Sequence, residues 1–549
     1  MSVRLKSVLR GDVSTAPADL EKYSRDTSVF TRTPEVVTFP KDASDVETLV
    51  RTVRTAKEAG EQVSVTARSA GTCMSGGPLT TSVLAVFTKY MNRVLEVGEG
   101  YAIAEPGVYY RDFEKQTLAK GNQLLPSYPA SRELAALGGI VNNNSGGERT
   151  LEYGKTADYV EELEVILDDG SRVLFHEVSP EQLEEKKKLQ TREGAIYRDM
   201  HALLSSHVAE IRAAKPKVSK NSAGYALWDA YNPDTGYMNL AKLITGAQGT
   251  LGITTQMKLR LVKSQGYRSM LVVFLSDLEV LPDIVHKVLP FNPESFESYD
   301  DQTFSLAIKF LPQMLAQMGF IQAVHLGLSF LPEVGMALRG GLPKMVLMAE
   351  FSEDTREQAI FAATKAQAAL ASLNLETRVM RTEADSEKYW KVRRESFSLL
   401  RKNVHGLYAA PFIDDFVVDP DTYPKFLPEL NAILAEYKNK FIYTIAGHIG
   451  NGNFHIIPLM DLSKPETRQI ILELSPRIYD LVIKYGGTTT GEHNDGIIRT
   501  PYLPQLFGAH IVKLFEQTKQ IFDPLNIFNP GKKVGGTFAD IEHDMIKHL

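Results

Sequence analysis

The feature that most constrains the fold of this chain is a set of three glycine-dense loops in its first half, each joined to a β-like run. The loops are RSAGTCMSGG from Arg68, LGGIVNNNSGG from Leu137 and GAQGTLGI from Gly246. Residues 36–66, which precede the first loop, predict a strand, a helix with the S-x-x-E start pattern at Ser44, and a strand. We therefore expect one α/β domain whose tight backbone turns surround a ligand.

Loops of this kind suit a pyrophosphate, because glycines accept positive φ angles and let consecutive backbone N–H groups point inward. The chain has neither the GxxxxGK[ST] pattern of a Walker A loop nor the GxGxxG pattern of a dinucleotide-binding Rossmann unit. One glycine-rich loop alone is more often only a turn. Three such loops favour a binding role.

The pattern changes near Lys263. Beyond it, strand-like and helical runs alternate without glycine-rich loops, which predicts a second α+β domain. The last part is helical with loops and contains NPGKKVGG near its end. We expect a first domain at 1–264, a second domain at 265–475, and a C-terminal segment at 476–549 that completes the site and packs on the first domain.

Composition excludes several classes of function. The formal net charge is −6 and no basic cluster is interleaved with aromatic residues, so nucleic acid is not an expected partner. The single cysteine, Cys73, rules out an internal disulfide and leaves too few thiolates for an iron–sulfur cluster within this chain. The N-terminus lacks an apolar run of signal-peptide length, and we expect a cytoplasmic location.

Residues 310–332 contain no Asp, Glu, Lys or Arg. Their glutamines, prolines and glycines make a weak membrane-spanning helix. Two interpretations remain, an amphipathic patch in peripheral contact with the inner face of a membrane and burial within a domain, and burial is the one we favour.

A second motif, AGHIGNGNFHIIP at residues 446–458, carries His448 and His455. The two residues would face opposite sides of a continuous strand, but the intervening GNGN favours a tight reversal that brings both imidazoles together. Two histidines alone are too few ligands to predict a metal site. A third candidate ligand, Glu492, occurs in GTTTGEHNDG with His493 directly after it, and a His, His, Glu set leaves positions open on a divalent ion, as catalysis requires.

These motifs, taken in order from Tyr23 to Lys533, resemble the flavoproteins of the vanillyl-alcohol oxidase and p-cresol methylhydroxylase type, and most of all their FAD-linked D-2-hydroxyacid dehydrogenase branch. The resemblance implies an α+β fold with a FAD-binding domain of the p-cresol methylhydroxylase type, an α+β substrate or cap domain, and a helical C-terminal segment. It also implies FAD as the cofactor. Thr72 stands where some relatives attach FAD to a histidine, which implies noncovalent binding.

The resemblance implies contacts to FAD from each of the glycine loops and from FDPLNIFNPGK near the C-terminus. The implied residues are Ser69, Ala70, Gly71, Thr72, Ser75, Gly76, Gly138, Gly139, Asn142, Gly147, Ile253 and Asn529.

In the same family, HxGxGNxH and GEH elements imply metal ligation by His448, His455 and Glu492, with zinc, manganese or iron as the ion. His493 is the implied general base, and Asn453 is placed to hydrogen-bond the substrate or a ligand. Of the two arginines in YWKVRRESF, Arg393 aligns with the arginine that binds the substrate carboxylate, and a solvated position is favoured for Arg394. In PFIDDFVV, Ile413 aligns with a lysine that binds a second carboxylate in the hydroxyglutarate enzymes, which favours a monocarboxylate substrate.

The sequence thus predicts a FAD-dependent enzyme that oxidises a small D-2-hydroxy acid, with D-lactate as the first choice. A quinone, a cytochrome or an electron-carrier protein is the expected acceptor. The alternatives are glycolate or D-2-hydroxyglutarate as substrate, a flavin-binding subunit of a larger oxidase complex, and a nonredox metal-binding protein.

Overall fold

The computed structural model describes residues 1–301, 303, 343–403, 407–438 and 440–546. The charge-free segment at 310–332 lies outside the described residues, so both interpretations of it stay predictions. Within the described part of the chain, no helix is long and apolar enough to cross a membrane.

The α-helices of the described residues, numbered in chain order, are α1 (Ser2–Val8), α2 (Pro17–Tyr23), α3 (Ala43–Glu58), α4 (Tyr110–Gly121), α5 (Leu137–Asn143), α6 (Thr150–Tyr153), α7 (Pro180–Lys188), α8 (Arg192–Ser206), α9 (Val208–Ala214), α10 (Leu227–Ala230), α11 (Leu240–Ile244), α12 (Leu281–Val288), α13 (Arg356–Ala369), α14 (Glu383–Asn403), α15 (Tyr423–Ala435), α16 (Pro465–Lys484), α17 (Gly496–Arg499), α18 (Leu503–Phe522) and α19 (Phe538–Asp544). The strands are β1 (Asp12–Ser14), β2 (Val36–Phe39), β3 (Val65–Arg68), β4 (Val83–Val86), β5 (Val94–Val97), β6 (Tyr101–Ala104), β7 (Gln123–Leu124), β8 (Val160–Ile166), β9 (Arg172–Val178), β10 (Met238–Asn239), β11 (Ile253–Arg260), β12 (Val262–Lys263), β13 (Tyr267–Leu275), β14 (Ser295–Asp300), β15 (Met345–Glu353), β16 (Glu376–Met380), β17 (Tyr408–Ala409), β18 (Phe416–Val417), β19 (Ile442–His448) and β20 (Asn453–Met460).

The strand, helix and strand predicted for residues 36–66 are confirmed as β2, α3 and β3. Together with β1 and β4 they form a sheet in the order β1-β2-β4-β3, in which β2 and β3 run parallel to β4. The predicted helix start at Ser44 is wrong. Asp42 is the N-cap, because its side chain accepts hydrogen bonds from the N–H groups of Ser44 and Asp45.

A second sheet is antiparallel, in the order β10-β9-β8-β11-β6-β5. The C-terminal segment returns to the first sheet at Val65. The N–H of Val65 donates to the carbonyl of Ile527 (2.8 Å), and the N–H of Asn529 donates to the carbonyl of Val65 (3.0 Å). Residues 527–529 therefore lie beside β3, the strand that leads into the first glycine loop.

The third sheet is antiparallel, with the order β16-β13-β15-β14-β19-β20-β17, and β18 pairs with another stretch of β20. One face of β13 packs with α12, α13, α15 and α16 in a single hydrophobic core. The other face packs with Tyr389, Trp390 and Val392 of α14. Because α14 also carries Arg393 and Arg394, this packing sets both arginines beside the sheet.

The predicted boundary between residues 475 and 476 falls inside a single helix. Pro476 lies in the interior of α16, and Leu474 and Ile478, on either side of the boundary, both enter the core of the third sheet. The strands of that sheet begin at Tyr267, close to the predicted boundary at 264. The division into 1–264, 265–475 and 476–549 stays a prediction.

Candidate active site

A β-hairpin brings the two motif histidines together, as the GNGN run predicts. β19 and β20 pair with His448 opposite Asn453 and with Ala446 opposite His455. His448 and His455 therefore lie diagonally on one face of the hairpin. Their ring centroids are 5.1 Å apart and the rings are nearly perpendicular, at 89°.

The loop between α16 and α17 brings Glu492 and His493 to the same face. The backbone N–H groups of both residues donate to Asp415 Oδ2, at 2.9 and 2.7 Å, so one buried carboxylate fixes the loop. The ring of His493 stacks on the ring of His455 with a centroid distance of 5.2 Å. Four residues from two distant stretches of sequence thus form one cluster.

Two buried carboxylates orient the three imidazoles. The Nδ1–H of His448 donates to Glu297 (2.5 Å), and the Nδ1–H groups of His455 and His493 donate to the two oxygens of Asp414 (3.0 and 2.6 Å). An ionised carboxylate can only accept, so each ring carries a proton on Nδ1 and directs Nε2 into the remaining space. Sequence reasoning missed both carboxylates, although Asp414 stands beside Ile413 in the PFIDDFVV motif.

The charges of the cluster are strongly coupled. Burial alone would raise the pKa of Asp414, but His493 and His455 hold it well below its ordinary value. Burial likewise lowers the pKa of His493, but the carboxylates of Asp415 and Asp414 outweigh that effect and raise it to about 9.

The donor atoms fit a divalent ion. One ligand atom each from His448, His455 and Glu492 lie within 4.8 Å of one another, and His448 Nε2 is 3.3 Å from Glu492 Oε1. Three protein ligands with a further open position are typical of a catalytic metal site, and oriented Nε2 atoms are typical of metal-binding histidines.

Asn453 lies beside the cluster, next to His448 in the hairpin pairing. Its side chain does not line the cavity described below. Its amide donates to Asp415 Oδ1 (3.1 Å) and to the carbonyl of Phe416 (3.3 Å), and its oxygen faces Lys220 Nζ at 3.4 Å. Asn453 thus supports the cluster from behind, and its hydrogen bond to the substrate or to a ligand stays a prediction.

A cavity of about 540 Å³ connects the histidine cluster to the glycine loops. Its wall includes His448, His455, Glu492 and His493 at one end, together with Arg393. The predicted cofactor-binding residues that line it are Ser69, Ala70, Gly71, Thr72, Gly138, Gly139 and Asn142. The loops and the cluster therefore face one continuous space.

The other predicted cofactor-binding residues lie outside this wall. Ser75 is buried and its hydroxyl donates to the carbonyl of His493 (3.1 Å), while Ile253 belongs to a hydrophobic core. The amide of Asn529 donates to the carbonyls of Gly77 and Gln248, at 3.0 and 2.8 Å. These residues shape the loops. Gly76 and Gly147 also shape the loops, and neither of them lines the cavity.

Several residues that line the cavity carry buried polar atoms without a hydrogen-bond partner. Asn142 Oδ1, Thr254 Oγ1 and Arg68 Nε have no hydrogen-bond partner among the described residues, and all three residues line the cavity. Buried polar atoms are nearly always paired, so this concentration indicates a polar ligand along the glycine loops. The donors and acceptors present fit a dinucleotide cofactor such as FAD.

Both arginines of α14 line the cavity. Arg393 Nε is 3.3 Å from Glu297 Oε2, so the carboxylate that holds His448 also faces Arg393. Arg394 pairs with Glu148 (2.7 Å) and stacks on the ring of Trp390. Arg394 is the more solvent-exposed of the two, as expected, with its side chain 45% exposed against 15% for Arg393, and it also lies at the cavity.

Ile413 does not face the cavity. Its side chain is fully buried in the hydrophobic core of the third sheet. Ile413 therefore does not favour a monocarboxylate over a dicarboxylate, contrary to the prediction from the sequence.

Family models match most of the chain. A model described as "FAD binding domain" matches residues 34–175, and one described as "FAD linked oxidases, C-terminal domain" matches residues 265–533.

Among solved structures, 4-ethylphenol oxidase from Gulosibacter chungangensis has a TM-score of 0.66 at 17% identity, over 96% of this chain and 95% of that one. An alkyldihydroxyacetonephosphate synthase has a TM-score of 0.66 at 16% identity, over 96% and 85% of the two chains. Likenesses at this identity establish the fold.

Relatives of known sequence span the chain. D-2-hydroxyglutarate dehydrogenase of Pseudomonas putida is 28% identical over 96% of this chain and 51% of its own length. Glycolate oxidase subunit GlcD of Bacillus subtilis is 25% identical over 93% and 91% of the two chains, and D-lactate dehydrogenase of Archaeoglobus fulgidus is 26% identical over 91% of each. The chain spans about half the length of the first D-2-hydroxyglutarate dehydrogenases that it matches.

Fold and cavity together define a flavoprotein of α+β class with a FAD-binding domain of the p-cresol methylhydroxylase type. The chain belongs to the FAD-linked oxidases, a family of oxidoreductases, and carries both their FAD-binding domain and their C-terminal domain. The predicted fold class, the family and FAD as a cofactor are confirmed, and the divalent ion stays a prediction.

Proposed function

We propose that this protein oxidises a D-2-hydroxy acid and passes the electrons to FAD. One observation carries the proposal. The oriented histidine and glutamate cluster, the arginine pair and the glycine loops all face the same cavity of about 540 Å³. An acid anchored by an arginine there would have its hydroxyl carbon between the proton-accepting groups and the cofactor.

The oxidation removes a proton from the hydroxyl oxygen and a hydride from the α-carbon. FAD, bound along the glycine loops, supplies the hydride acceptor. His493 is the proposed proton acceptor at Nε2, since its Nδ1–H is held by Asp414. Only the neutral form of His493 can accept a proton. A cation bound nearby would lower the pKa of His493 and so favour that neutral form.

His448, His455 and Glu492 are the residues that would hold a zinc, manganese or iron ion, whose charge would lower the pKa of a nearby hydroxyl. Arg393 is the proposed anchor of the substrate carboxylate, because a guanidinium matches a carboxylate in two-pronged geometry. Glu297 holds this guanidinium beside the cluster until a substrate arrives.

We propose noncovalent FAD, because Thr72 lines the cavity where some relatives attach the flavin to a histidine. Burial raises the pKa of the neighbouring Cys73 thiol, which opposes the thiolate needed for attachment there. Electrons would then leave for a quinone, a cytochrome or an electron-carrier protein, since one cysteine cannot hold an iron–sulfur cluster within this chain.

D-lactate and D-2-hydroxyglutarate are the two candidate substrates. A single carboxylate needs only Arg393, which suits D-lactate. Arg394 also lies on the cavity wall, and its exchange of Glu148 for a second substrate carboxylate would suit D-2-hydroxyglutarate. The names of the relatives include both acids.

Anaerobic mixing with a panel of acids tests the proposal. We expect D-lactate or D-2-hydroxyglutarate to bleach the flavin absorbance and L-lactate to leave it unchanged. Glycolate in the panel tests the alternative substrate. If no acid reduces the flavin while dithionite does, the oxidation is refuted. A colourless protein that cannot take up FAD would instead indicate a nonredox metal-binding protein, and reduction only with copurified subunits would indicate a part of a larger oxidase.

A further inference from the structure

A buried lysine holds the proposed metal ligand. The side chain of Lys220 is 0% exposed, and its Nζ donates to Glu492 Oε1 at 2.5 Å. Lys220 lies in the loop between α9 and α10, far from Glu492 in sequence. It contacts the carboxylate oxygen that a metal ion would also need. Oxygen Oε1 is also the one that faces His448 Nε2 at 3.3 Å.

The ammonium and a metal ion would compete for the same carboxylate. Lys220 Nζ already lies 2.5 Å from Glu492 Oε1, on the oxygen that a bound ion would share with His448 Nε2 at 3.3 Å. The carboxylate therefore has a cation even when no ion is bound. A divalent ion must displace that ammonium or bind close to its charge, and both weaken binding.

Asn453 offers the ammonium a second partner. Its Oδ1 lies 3.4 Å from Lys220 Nζ, at the edge of hydrogen-bond distance, and its own amide protons are held by Asp415 and Phe416. An ammonium displaced from Glu492 would keep a buried acceptor. Asn453, which lies behind the cavity wall, would therefore accept a hydrogen bond from the displaced ammonium.

We propose that Lys220 is a positioning residue that occupies Glu492 in the ion-free protein and thereby lowers the affinity of the cluster for its divalent ion. The inference rests on the proposed function, because it assumes His448, His455 and Glu492 as the ligands. Its consequence is an ion that exchanges readily and a ligand set that remains folded without it.

Lys155 provides a matched control. It is also buried, and its Nζ donates to the carbonyls of Asn221 (2.9 Å) and Gly491 (2.5 Å) and to the hydroxyl of Ser222. All three acceptors are neutral.

The test measures zinc affinity by chelator competition in the FAD-loaded protein after metal removal. We expect Lys220→Met to bind Zn²⁺ at least about 10-fold more tightly than wild type, and Lys155→Met to differ by less than about 3-fold. Lys220→Gln serves as a second variant with a polar side chain in case the methionine variant does not fold. The flavin spectrum reports folding in each case.

Affinity unchanged or weakened by both Lys220 variants would overturn the inference. A double-mutant comparison sharpens the result, because Lys220→Met should raise zinc affinity less in a Glu492→Gln background than in the wild-type background. If wild type and all variants bind no Zn²⁺, Mn²⁺ or Fe²⁺, the proposed metal site fails as well. If wild type binds and the Lys220 variants do not bind more tightly, only this inference fails.

Discussion

At the scale of single residues, the site depends on carboxylates that orient histidines. Glu297 serves both His448, through a hydrogen bond, and Arg393, through an ion pair at 3.3 Å. One side chain thus links the proposed metal ligand to the proposed substrate anchor. A carboxylate partner on Nδ1 makes the Nε2 of an imidazole a stronger electron-pair donor to a metal ion, and it fixes the orientation of the ring.

Replacement of Glu297 by Gln should weaken metal binding. The amide oxygen can still accept from His448, but the negative charge is lost. We expect zinc affinity to fall by about 10-fold or more with FAD content unchanged, measured by chelator competition and flavin absorbance. Glu350→Gln is the control, since Glu350 is another buried carboxylate of the third sheet and accepts a hydrogen bond from Trp390. Equal affinity in wild type and Glu297→Gln would contradict this role.

The sequence predicted the members of this cluster better than the residues that orient them. Turn residues and a motif pointed to His448, His455 and Glu492, which the structure brings together. Glu297 was not found, because its place opposite His448 follows from the pairing of Ser298 with Gly447, and nothing local marks a partner so distant in the chain. Lys220 was missed for the same reason.

At the scale of elements, the β19–β20 hairpin makes the site. Its turn contains Gly452 with a φ of +71°, and a Cβ added there would lie 1.8 Å from the carbonyl oxygen of Val418. Only glycine fits this close approach. The GNGN run was therefore a sound predictor of the turn, because its chemistry is local.

Gly452→Ala should disrupt the hairpin, with Gly486→Ala as its control. Gly486 has the same φ of +71° but nothing within 4 Å of its added Cβ. We expect Gly486→Ala to lower the free energy of unfolding by about 1–2 kcal/mol, from backbone strain alone. Gly452→Ala should cost about 3 kcal/mol or more, since the clash adds to the strain. Urea unfolding of both variants measures this, and similar losses would refute the clash.

At the scale of the whole molecule, buried charges join the FAD-binding half to the third sheet. Arg149 lies 3.3 Å from Glu294, which is 3.1 Å from Arg268, and Arg268 is 3.7 Å from Glu350. The α+β class and the strand, helix and strand at residues 36–66 were predictable from periodicity. The strand order of the third sheet and the continuity of α16 through Pro476 were not, because distant pairing and core packing decide them.

Glu350→Gln should change how stability depends on pH. Burial, followed by repulsion from Glu294, raises the pKa of Glu350 to about 7 in the folded protein. The folded state therefore binds more protons than the unfolded state between about pH 4.5 and 7, and wild-type stability falls across that window as pH rises. The Glu350→Gln variant has no ionisable group at this position, so its stability does not fall for this reason as pH rises. Relative to wild type it should gain about 2 kcal/mol between pH 5 and pH 8 in urea unfolding. A difference that does not vary with pH would contradict the raised pKa.

The most direct test of the central claim is metal removal followed by anaerobic reduction with the D-2-hydroxy acid that bleaches the flavin. The account predicts that chelation slows flavin reduction by about 100-fold or more without loss of FAD. Readdition of zinc, manganese or iron, each tried separately, should restore the rate with at least one ion. Flavin reduction at the same rate in the metal-free and metal-loaded protein would contradict the claim that His448, His455 and Glu492 hold an ion that serves the oxidation.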